Sequence, residues 1–225
     1  MPWRGHDDVA HLVLGEQVPT DTETVEACLA ALRRSGYCSV VTSALAPADS
    51  LPFVDAGFEV RERLHLLEHD LASLPAPPNG ASRDGLRCRR AWRSDRPSVI
   101  ELDRLAFDRF WRLEEQGLRE ALQATPAVRF RVGDFEDPRR GTVAYAITGR
   151  AGRRGYLQRV AVHPDGRRQG WGRALVVDAL GWLARHDVQR ALVNTQWTND
   201  AALALYESCG FRRLPVGLCV LDRHL

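Results

Sequence analysis

Residues 160–172, Val-Ala-Val-His-Pro-Asp-Gly-Arg-Arg-Gln-Gly-Trp-Gly, lead directly into an apolar segment with helical periodicity. The β-branched start predicts a strand, and Pro164 prevents that strand from continuing because proline has no backbone N–H to donate. Gly170 and Gly172 lack Cβ atoms, so backbone N–H groups can approach an anion there, and the N-terminus of the following helix adds the positive end of its dipole. The stretch therefore predicts a strand–loop–helix unit that binds a pyrophosphate.

Two common nucleotide-binding loops do not fit this stretch. A Walker A loop requires a lysine after its second glycine, and the chain contains no lysine. The dinucleotide-binding pattern requires a third glycine at position 175, where this chain has Leu175. A glycine turn that simply joins the strand to the helix is the other interpretation.

Strand and helix patterns alternate on both sides of the loop, which predicts an α/β fold of the mixed α+β type. The predicted strands are Leu86–Trp92, Val128–Val132, Thr142–Thr148, Tyr156–Val162, Ala191–Thr195 and a last pair from Phe211 onward. The predicted helices are Ser98–Leu113, Glu114–Gln123, Gly172–Arg185 and Asp200–Ser208.

The length of 225 residues is enough for one large domain or two small ones. Residues 74–82, Leu-Pro-Ala-Pro-Pro-Asn-Gly-Ala-Ser, predict a linker between a small domain at 1–73 and a larger one at 83–225. The small domain contains a helix, a strand and Gly57-Phe58 in the order of the helix, strand and Gly210-Phe211 near the C-terminus. We interpret it as a divergent partial repeat, although any two α/β units share such an order.

Composition excludes several classes of protein. The chain has 31 basic and 29 acidic side chains, a net charge of +2, and all its basic residues are arginine. That balance argues against binding nucleic acid by phosphate neutralisation, and the missing lysine excludes Schiff-base catalysis. The five cysteines form no Cys-x-x-Cys pair, so we expect no metal site, no disulfide framework and a cytoplasmic location. No apolar run approaches the ~18–20 residues of a membrane span, and we expect neither a membrane partner nor a signal peptide.

Two motifs together resemble the GNAT family of acetyl-CoA-dependent N-acyltransferases. The first is Arg167-x-x-Gly170-x-Gly172 after the Val-Ala-Val-x-Pro strand. The second is Asn199-x-x-Ala202-x-x-Leu205-Tyr206-x-x-x-Gly210-Phe211. The resemblance covers about residues 86–222, and the stretches 107–111 and 203–208 are most similar to the RimI-type branch, which acetylates protein N-termini. It implies the GNAT fold with a central, mixed and splayed sheet, preceded here by a degenerate partial GNAT repeat.

The resemblance also implies where acetyl-CoA binds. Backbone N–H groups of the loop would bind the pyrophosphate, and the end of the preceding strand would pair with the pantetheine arm. That strand would splay from the Ala191–Thr195 strand and admit the acetyl thioester. Asn199 would contact the pantetheine, cap the following helix, or do both. The implied cofactor-binding residues are Val160, Ala161, Val162, Arg167, Arg168, Gln169, Gly170, Trp171, Gly172, Arg173 and Asn199.

Tyr206 matches the family tyrosine near the CoA sulfur, where it would protonate the departing thiolate. A phenol with a pKa of about 10 keeps its proton at pH 7. A core tyrosine on an apolar helix face is the alternative. RimI-type enzymes carry a glutamate at the position aligned with Asn194, and an amide cannot accept that proton. The remaining candidates for the general base are an ordered water chain and the side chains of His163, Glu101, Asp108, Glu114 and Glu115.

The implied function is transfer of an acetyl group from acetyl-CoA to a primary amine by direct attack in a ternary complex. The acceptor would be a protein N-terminus or a small amine such as an aminoglycoside, a polyamine or an amino-sugar thiol precursor. A non-catalytic acyl-CoA-binding regulatory module is the alternative, because the family carboxylate is missing. In the N-terminal repeat, Phe53 and Ala46 take the places of Tyr206 and Asn199, so this repeat is expected to supply structure or a wall of the acceptor site. The amine and the oligomeric state do not follow from the sequence.

Overall fold

The structure is a computed structural model that describes residues 2–3, 6–14, 20–72, 74, 88–135 and 141–225. Its helices are α1 (Thr22–Arg34), α2 (Pro47–Asp55), α3 (Arg96–Ala106), α4 (Glu115–Gln123), α5 (Trp171–Ala184) and α6 (Asp200–Ser208). Its strands are β1 (Pro2–Trp3), β2 (His6–Leu12), β3 (Ser39–Thr42), β4 (Glu59–His69), β5 (Cys88–Arg90), β6 (Ala127–Asp134), β7 (Thr142–Ala151), β8 (Arg154–Val162), β9 (Arg190–Gln196), β10 (Arg212–Arg213) and β11 (Leu218–His224). Within the described ranges, no helix combines the length and the apolar character needed to cross a membrane.

The chain divides into two compact units, which we call unit 1 and unit 2. Unit 1 comprises Met1–Leu66, Asn194–Asp200 and Leu214–Leu225, and unit 2 comprises Leu67–Val193 and Ala201–Arg213. The domain limits 1–73 and 83–225 stay a prediction. Of the predicted linker at 74–82, all but Leu74 lies outside the described residues.

Unit 2 contains a sheet with helices on both faces. Strands β5, β6, β7 and β8 pair in that order and antiparallel, and β9 pairs parallel to β8. Successive side chains of a strand point to opposite faces. On β7, Ala144 and Ala146 pack in one cluster with residues of α5, whereas Tyr145 and Ile147 pack in another with residues of α3 and α4. Both faces of the sheet are therefore buried, and this confirms the predicted mixed α/β fold.

Strands β8 and β9 pair at their beginnings and then separate. Their register ends at Tyr156 opposite Leu192, although β8 continues to Val162 and β9 to Gln196. On its other edge β8 stays paired with β7 as far as Val162, with a bulge at Gln158 between the partners of Ile147 and Thr148. A bulge bends and twists its strand locally. The predicted splay of the sheet is confirmed, and it begins next to this bulge.

Unit 1 contains a second sheet segment, in which β3 pairs parallel to β2 and antiparallel to β11, and β11 pairs antiparallel to β4. Its core includes Val25 and Leu29 of α1, Phe53 of α2 and Leu221 of β11. The C-terminal strand therefore completes a sheet whose other strands come from the first 69 residues. Sequence periodicity identified this strand but not its partners.

The two proposed repeats end their second helices in the same way. The N–H of Phe58 donates to the carbonyl of Phe53 at 3.0 Å, and the N–H of Phe211 donates to the carbonyl of Tyr206 at 3.1 Å. The intervening Gly57 and Gly210 have φ angles of +79° and +93°, a left-handed conformation that glycine adopts readily. These matched turns, and the shared order of helices and strands, support the interpretation of a repeat.

One helix is shorter than predicted. The segment Ser98–Leu113 was predicted as continuous, but α3 ends at Ala106 and Phe107 is extended. Asp108 then accepts hydrogen bonds from the N–H groups of Phe110 and Trp111, which closes a separate 3-10 turn at Arg109–Trp111. An aspartate that caps its own following turn competes with helix continuation.

Candidate active site

The loop after β8 is anchored tightly before it reaches the helix. The N–H of Gly166 donates to the carbonyl of His163 at 2.8 Å, and the N–H of Arg167 donates to the carbonyl of Pro164 at 3.2 Å. A Cβ atom added at Gly166 would lie 2.4 Å from Cγ2 of Val143, so this glycine permits close approach of the loop to β7. The turn is therefore held against the sheet.

Backbone N–H groups of the loop are left available for an anion. Arg168 and Gly170 have φ angles of +64° and +92°, and Gly170 is the N-cap of α5. The first hydrogen bond of the helix runs from the N–H of Ala174 to the carbonyl of Gly170 at 3.0 Å. In the described part of the chain, no acceptor binds the N–H groups of residues 168–172. Consecutive unpaired N–H groups at a helix N-terminus form an anion-binding nest.

The side chains of the loop divide into exposed cations and packing groups. Arg167 and Arg168 are exposed, and no described carboxylate lies within 4.0 Å of either guanidinium. Trp171 is 5% exposed, and its ring covers Gly133, where an added Cβ would lie 2.2 Å away. Arg173 donates to the carbonyl of Ser208 at 3.0 Å and so ties α5 to the end of α6. Trp171 and Arg173 therefore offer the loop their backbone rather than their side chains.

The end of β8 presents an unpaired edge. The N–H of His163 donates to the carbonyl of Val143 at 2.8 Å, on the β7 side. Because N–H groups of successive residues in a strand point to opposite edges, the N–H groups of Val160 and Val162 point away from β7. Beyond Tyr156 that edge has no pairing with β9 in the described residues. It can therefore form hydrogen bonds with an extended ligand.

Tyr206 combines burial with an unpartnered hydroxyl. It is 6% exposed and packs with Phe211 at a ring-centroid distance of 5.8 Å. Burial raises the pKa of Tyr206 to about 12, although the positive charge of Arg159 opposes part of this rise. Among the described residues the hydroxyl has no hydrogen-bond partner. The predicted acid is thus a protonated donor at neutral pH, and it also lies in the core as the alternative interpretation expected.

The remaining predicted cofactor residue, Asn199, lies in unit 1 directly before α6. Its backbone N–H donates to the carbonyl of Gln196 at 3.0 Å. Residues 160–162, 167–173 and Tyr206 all belong to unit 2. The structure thus collects the loop, the strand end and the proposed acid in one unit, and their binding roles stay predictions.

Asp103 and Arg159 form a buried ion pair next to the open part of β8, and the sequence did not predict it. Asp103 is fully buried and accepts hydrogen bonds from Nε and Nη2 of Arg159, both at 2.9 Å. It also accepts from the hydroxyl of Tyr145 and from the N–H of Leu113, the latter at 2.7 Å. Burial, more than the nearby charge of Asp103, raises the pKa of Tyr145. The sequence signal was a single carboxylate four residues after Val99, on the apolar face of α3.

Arg159 extends this ion pair to the segment after α3. Its Nη2 also donates to the carbonyl of Trp111 at 2.6 Å, and its guanidinium carbon lies 3.5 Å from the centroid of the Phe107 ring. Arg159 belongs to the part of β8 that separates from β9. The ion pair therefore fixes the 107–111 segment relative to the open strand.

The predicted candidates for the general base already have structural partners. Glu114 and Glu115 accept from arginines at 2.9 and 3.1 Å, Glu101 lies 3.9 Å from Arg104, and Asp108 caps its turn. Nδ1 of His163 accepts from the N–H of Asp165 at 3.1 Å. Each of the five side chains therefore makes a structural contact that does not involve proton transfer.

The thiols of half-buried Cys88 and buried Cys209 are poor nucleophiles. Burial raises the pKa of the Cys88 thiol to about 11 and also raises the pKa of Cys209. Because the thiolate is the reactive form, both are inert at neutral pH. Among the described residues, no group of three or more His, Cys, Asp or Glu side chains could hold a metal ion.

Comparison with known families gives a match to the Acetyltransferase (GNAT) family over residues 90–211. This range contains the loop, the unpaired strand edge and Tyr206. It is more than half of the chain.

Two curated relatives match shorter parts. The [Ribosomal protein bS18]-alanine N-acetyltransferase of Escherichia coli K12 is 38% identical over 73 residues, which are 32% of this chain and 49% of the relative. N-alpha-acetyltransferase 30 of Xenopus laevis is 41% identical over 61 residues, which are 27% of this chain and 22% of the relative. The chain thus spans about half the length of the first relative and less of the second.

Two solved structures match 90% or more of this chain, and a third matches 61% of it. A tandem GNAT protein from the clavulanic acid biosynthesis pathway has a TM-score of 0.67 at 13% identity, covering 97% of this chain and 76% of that one. A GCN5-related N-acetyltransferase from Sphaerobacter thermophilus has a TM-score of 0.64 at 16% identity, covering 90% and 67%. The ribosomal-protein-S18-alanine N-acetyltransferase from Escherichia coli has a TM-score of 0.51 at 21% identity, covering 61% and 92%. At these identities the likeness concerns the fold.

Proposed function

Because the chain belongs to the GNAT acetyltransferase family, we propose that it transfers an acetyl group from acetyl-CoA to a primary amine. The observation that carries this proposal is the nest of unpaired N–H groups at residues 168–172, which follows directly on the unpaired edge of β8. A regulatory module that binds acyl-CoA without catalysis would not need a protonated, unpartnered phenol such as Tyr206.

The residues fit the chemistry of CoA. A pyrophosphate matches the N–H groups of the loop, and the exposed guanidinium groups of Arg167 and Arg168 complement phosphate charge. The amides of a pantetheine arm match the N–H and C=O groups on the free edge of β8. We therefore assign residues 160–162 and 167–173 to acetyl-CoA, with Asn199 as a further contact.

The proposed mechanism depends on positioning and polarisation. The N–H groups on the open edge of β8 hold the thioester and stabilise negative charge that develops on its carbonyl oxygen. The amine attacks the carbonyl carbon directly, with no covalent intermediate on Cys88 or Cys209, because the raised pKa values keep both thiols protonated at neutral pH. Tyr206 donates its proton to the sulfur as the carbon–sulfur bond breaks.

The first residues of α1 support a non-binding role for the N-terminal repeat. Asp21 caps this helix by accepting from the N–H of Thr24 at 2.8 Å. Hydrogen bonds from Thr24 hold the pKa of Asp21 below its usual range, so the carboxylate is charged at neutral pH. A carboxylate at a helix N-terminus takes the place that an anionic ligand would need. We propose that residues 1–73 form a degenerate repeat that does not bind acetyl-CoA.

The acceptor that we propose is a protein N-terminus. Both curated relatives carry names that describe N-acetylation, one of an alanine of ribosomal protein bS18 and the other of an α-amino group. The test measures release of free CoA thiol with acetyl-CoA and four acceptors: a peptide that begins with alanine, its N-acetylated form, spermidine and glucosamine. We expect release with the free peptide and none with the acetylated one. Release with spermidine or glucosamine alone overturns the proposed acceptor, and no release with any amine overturns acetyl transfer.

Replacing Gly170 by alanine is expected to weaken acetyl-CoA binding about tenfold. A left-handed conformation costs a residue with a Cβ atom about 1–2 kcal/mol, and a loss of 1.4 kcal/mol in binding is tenfold in Kd. Gly152→Ala is the matched control, since Gly152 has a φ of +54° in the β7–β8 turn and nothing within 4 Å of an added Cβ. Titration calorimetry with acetyl-CoA should give a raised Kd for G170A and an unchanged one for G152A. Equal Kd values for the two variants would contradict the assignment of the loop.

A further inference from the structure

One guanidinium of unit 2 keeps a free pair of N–H groups although its side chain is almost completely buried. The side chain of Arg159 is 10% exposed, and its Nε and Nη2 donate to Asp103 and to the carbonyl of Trp111. Within the described part of the chain, no acceptor binds its Nη1. Among the described residues, the buried polar atoms without a partner do not include Nη1, so solvent reaches it. A guanidinium fixed in this way presents the N–H groups of Nη1 to a ligand.

Arg159 stands on the open part of β8, and its side chain faces α3. It lies opposite Ile147 of β7, whose side chain packs with residues of α3 and α4. Directly opposite residues of an antiparallel pair share a face of the sheet. Val160 and Val162 pack instead with residues of α5. Arg159 therefore belongs to the face of the open strand that points away from α5.

The two faces of the open strand suit different substrates. The proposed phosphate loop ends in Gly170, the N-cap of α5, so the cofactor reaches the strand from the α5 face. In a ternary complex the amine has to approach the thioester from a side that the cofactor leaves free. The α3 face is such a side, and there the ring of Phe107 packs on the guanidinium of Arg159, 3.5 Å from its central carbon. The acceptor is therefore expected next to Arg159.

The charge of Arg159 also acts on the proposed acid, which belongs to the same unit. Burial raises the pKa of Tyr206 to about 12, and the positive charge of Arg159 opposes this rise. Because such an interaction weakens with distance, the guanidinium lies near the phenol. The other charged or titratable groups around Arg159 are Asp103 on α3 and Tyr145 on β7, which bond to each other. Arg159 is thus a cation close to the place where we propose that the thiolate leaves.

A fixed cation at this place selects the acceptor by its chemistry. It disfavours an ammonium ion and attracts an oxygen that carries partial negative charge. At pH 7 about a tenth of an α-amine with a pKa of about 7.7–8.0 is neutral, against less than about a thousandth of an alkylamine with a pKa of about 10.4. In a peptide, the α-carbon that carries this amine also carries the first carbonyl group. An N-terminus therefore matches both the charge and the free donors of Arg159, whereas a polyamine matches neither.

We propose that Arg159 determines the specificity for the acceptor, because its Nη1 donates to the first carbonyl oxygen of the acceptor peptide. This inference rests on the proposed acetyl transfer and names the group by which an N-terminus is recognised. Asp103 orients the guanidinium. The positive charge admits the α-amine in its neutral form, after the amine has released a proton to solvent. An amine that binds in this form needs no carboxylate to remove that first proton.

The test compares two acceptors, the alanine peptide and an isostere in which a trans carbon–carbon double bond replaces its first peptide bond. The isostere keeps the extended shape and the amine but lacks the carbonyl oxygen. For each acceptor, kcat/KM is expressed per concentration of neutral amine, because the two amines differ in pKa. We expect wild type to prefer the peptide about tenfold or more, the range for a hydrogen bond to a charged group.

Three variants locate this preference. Asp103→Asn combined with Arg159→Met replaces the ion pair by neutral groups and leaves no unpaired buried charge. Arg159→Lys keeps a cation for Asp103 but has no second nitrogen to donate to the peptide. Arg129→Met is the matched control, because Nε and Nη2 of Arg129 bind Asp178 of α5 at 2.8 and 2.9 Å. The preference should fall below about twofold in D103N/R159M and in R159K, whereas R129M should keep the preference of wild type.

The ratio between the two acceptors separates recognition from stability. A general loss of folded enzyme lowers transfer to both acceptors equally and leaves their ratio unchanged, and either Arg159 variant decides alone if the other does not fold. A wild type without the preference, a folded Arg159 variant that keeps it, or an equal loss in R129M overturns the role of Arg159 and leaves acetyl transfer standing. A wild type that transfers to neither acceptor overturns acetyl transfer, and the role of Arg159 fails with it.

Discussion

Replacing Asp103 by asparagine is expected to lower the free energy of unfolding by about 3–5 kcal/mol, the usual cost of removing one partner of a buried ion pair. The variant leaves the guanidinium of Arg159 in a site where its side chain is 10% exposed, without the carboxylate that binds it through Nε and Nη2. The hydroxyl of Tyr145 loses its anionic acceptor as well. The loss should be close to the whole stability margin of some domains.

Urea unfolding followed by circular dichroism measures this loss. Glu101→Gln is the matched control, because Glu101 lies on the same helix with its side chain 65% exposed and Arg104 at 3.9 Å. An exposed ion pair contributes less than about 1 kcal/mol, so this control should unfold almost as wild type does. A loss for D103N within 1 kcal/mol of the control, on the scale of exposed pairs, would mean that the buried ion pair does not stabilise the fold.

Replacing Tyr206 by phenylalanine is expected to lower kcat for acetyl transfer about 100-fold or more, the range for loss of a general acid. Stability should change little, because the described residues offer the hydroxyl no hydrogen bond to lose. The pKa of Tyr206 is raised to about 12, so the phenol keeps its proton throughout the assay range. The fold-loss should therefore be the same at pH 7 and at pH 9.5.

Steady-state kinetics at both pH values, with Tyr37→Phe as the control for loss of a phenol elsewhere, tests this assignment. Tyr37 follows α1 and contributes to the core of unit 1. A Y206F variant with the kcat of Y37F would contradict the role as acid. If Y206F lowers both kcat and the free energy of unfolding, the side chain of Tyr206 acts in packing of the core instead.

Local patterns in the sequence predicted much of the fold. The bounds of α6 at Asp200–Ser208 agree with the prediction, and α5 begins one residue before its predicted start because Gly170 takes the N-cap position. The turn between β8 and α5 was also predictable, because proline, glycine and the helix start act within a few residues of one another. These features depend on residues that are close together in the chain, so the spacing of residue types in the sequence shows them directly.

Contacts between distant residues were not predictable in this way. Asp103 and Arg159 are 56 residues apart, and Glu62 and Gln196 are 134 apart. Neither pair belongs to a motif with fixed spacing, so the distance along the chain gives no sign of the contact.

The central claim is that the loop at residues 167–173 binds the diphosphate of CoA, and thermal unfolding with and without ligand tests it most directly. A ligand that binds the folded state at a hundredfold excess over its Kd stabilises it by about 2.7 kcal/mol, which corresponds to a rise in Tm of about 5–10 °C for a chain of this size. We predict this rise with CoA and with acetyl-CoA, a smaller one with ATP, and a reduced one for G170A with acetyl-CoA. No change in Tm with CoA or acetyl-CoA would contradict the claim.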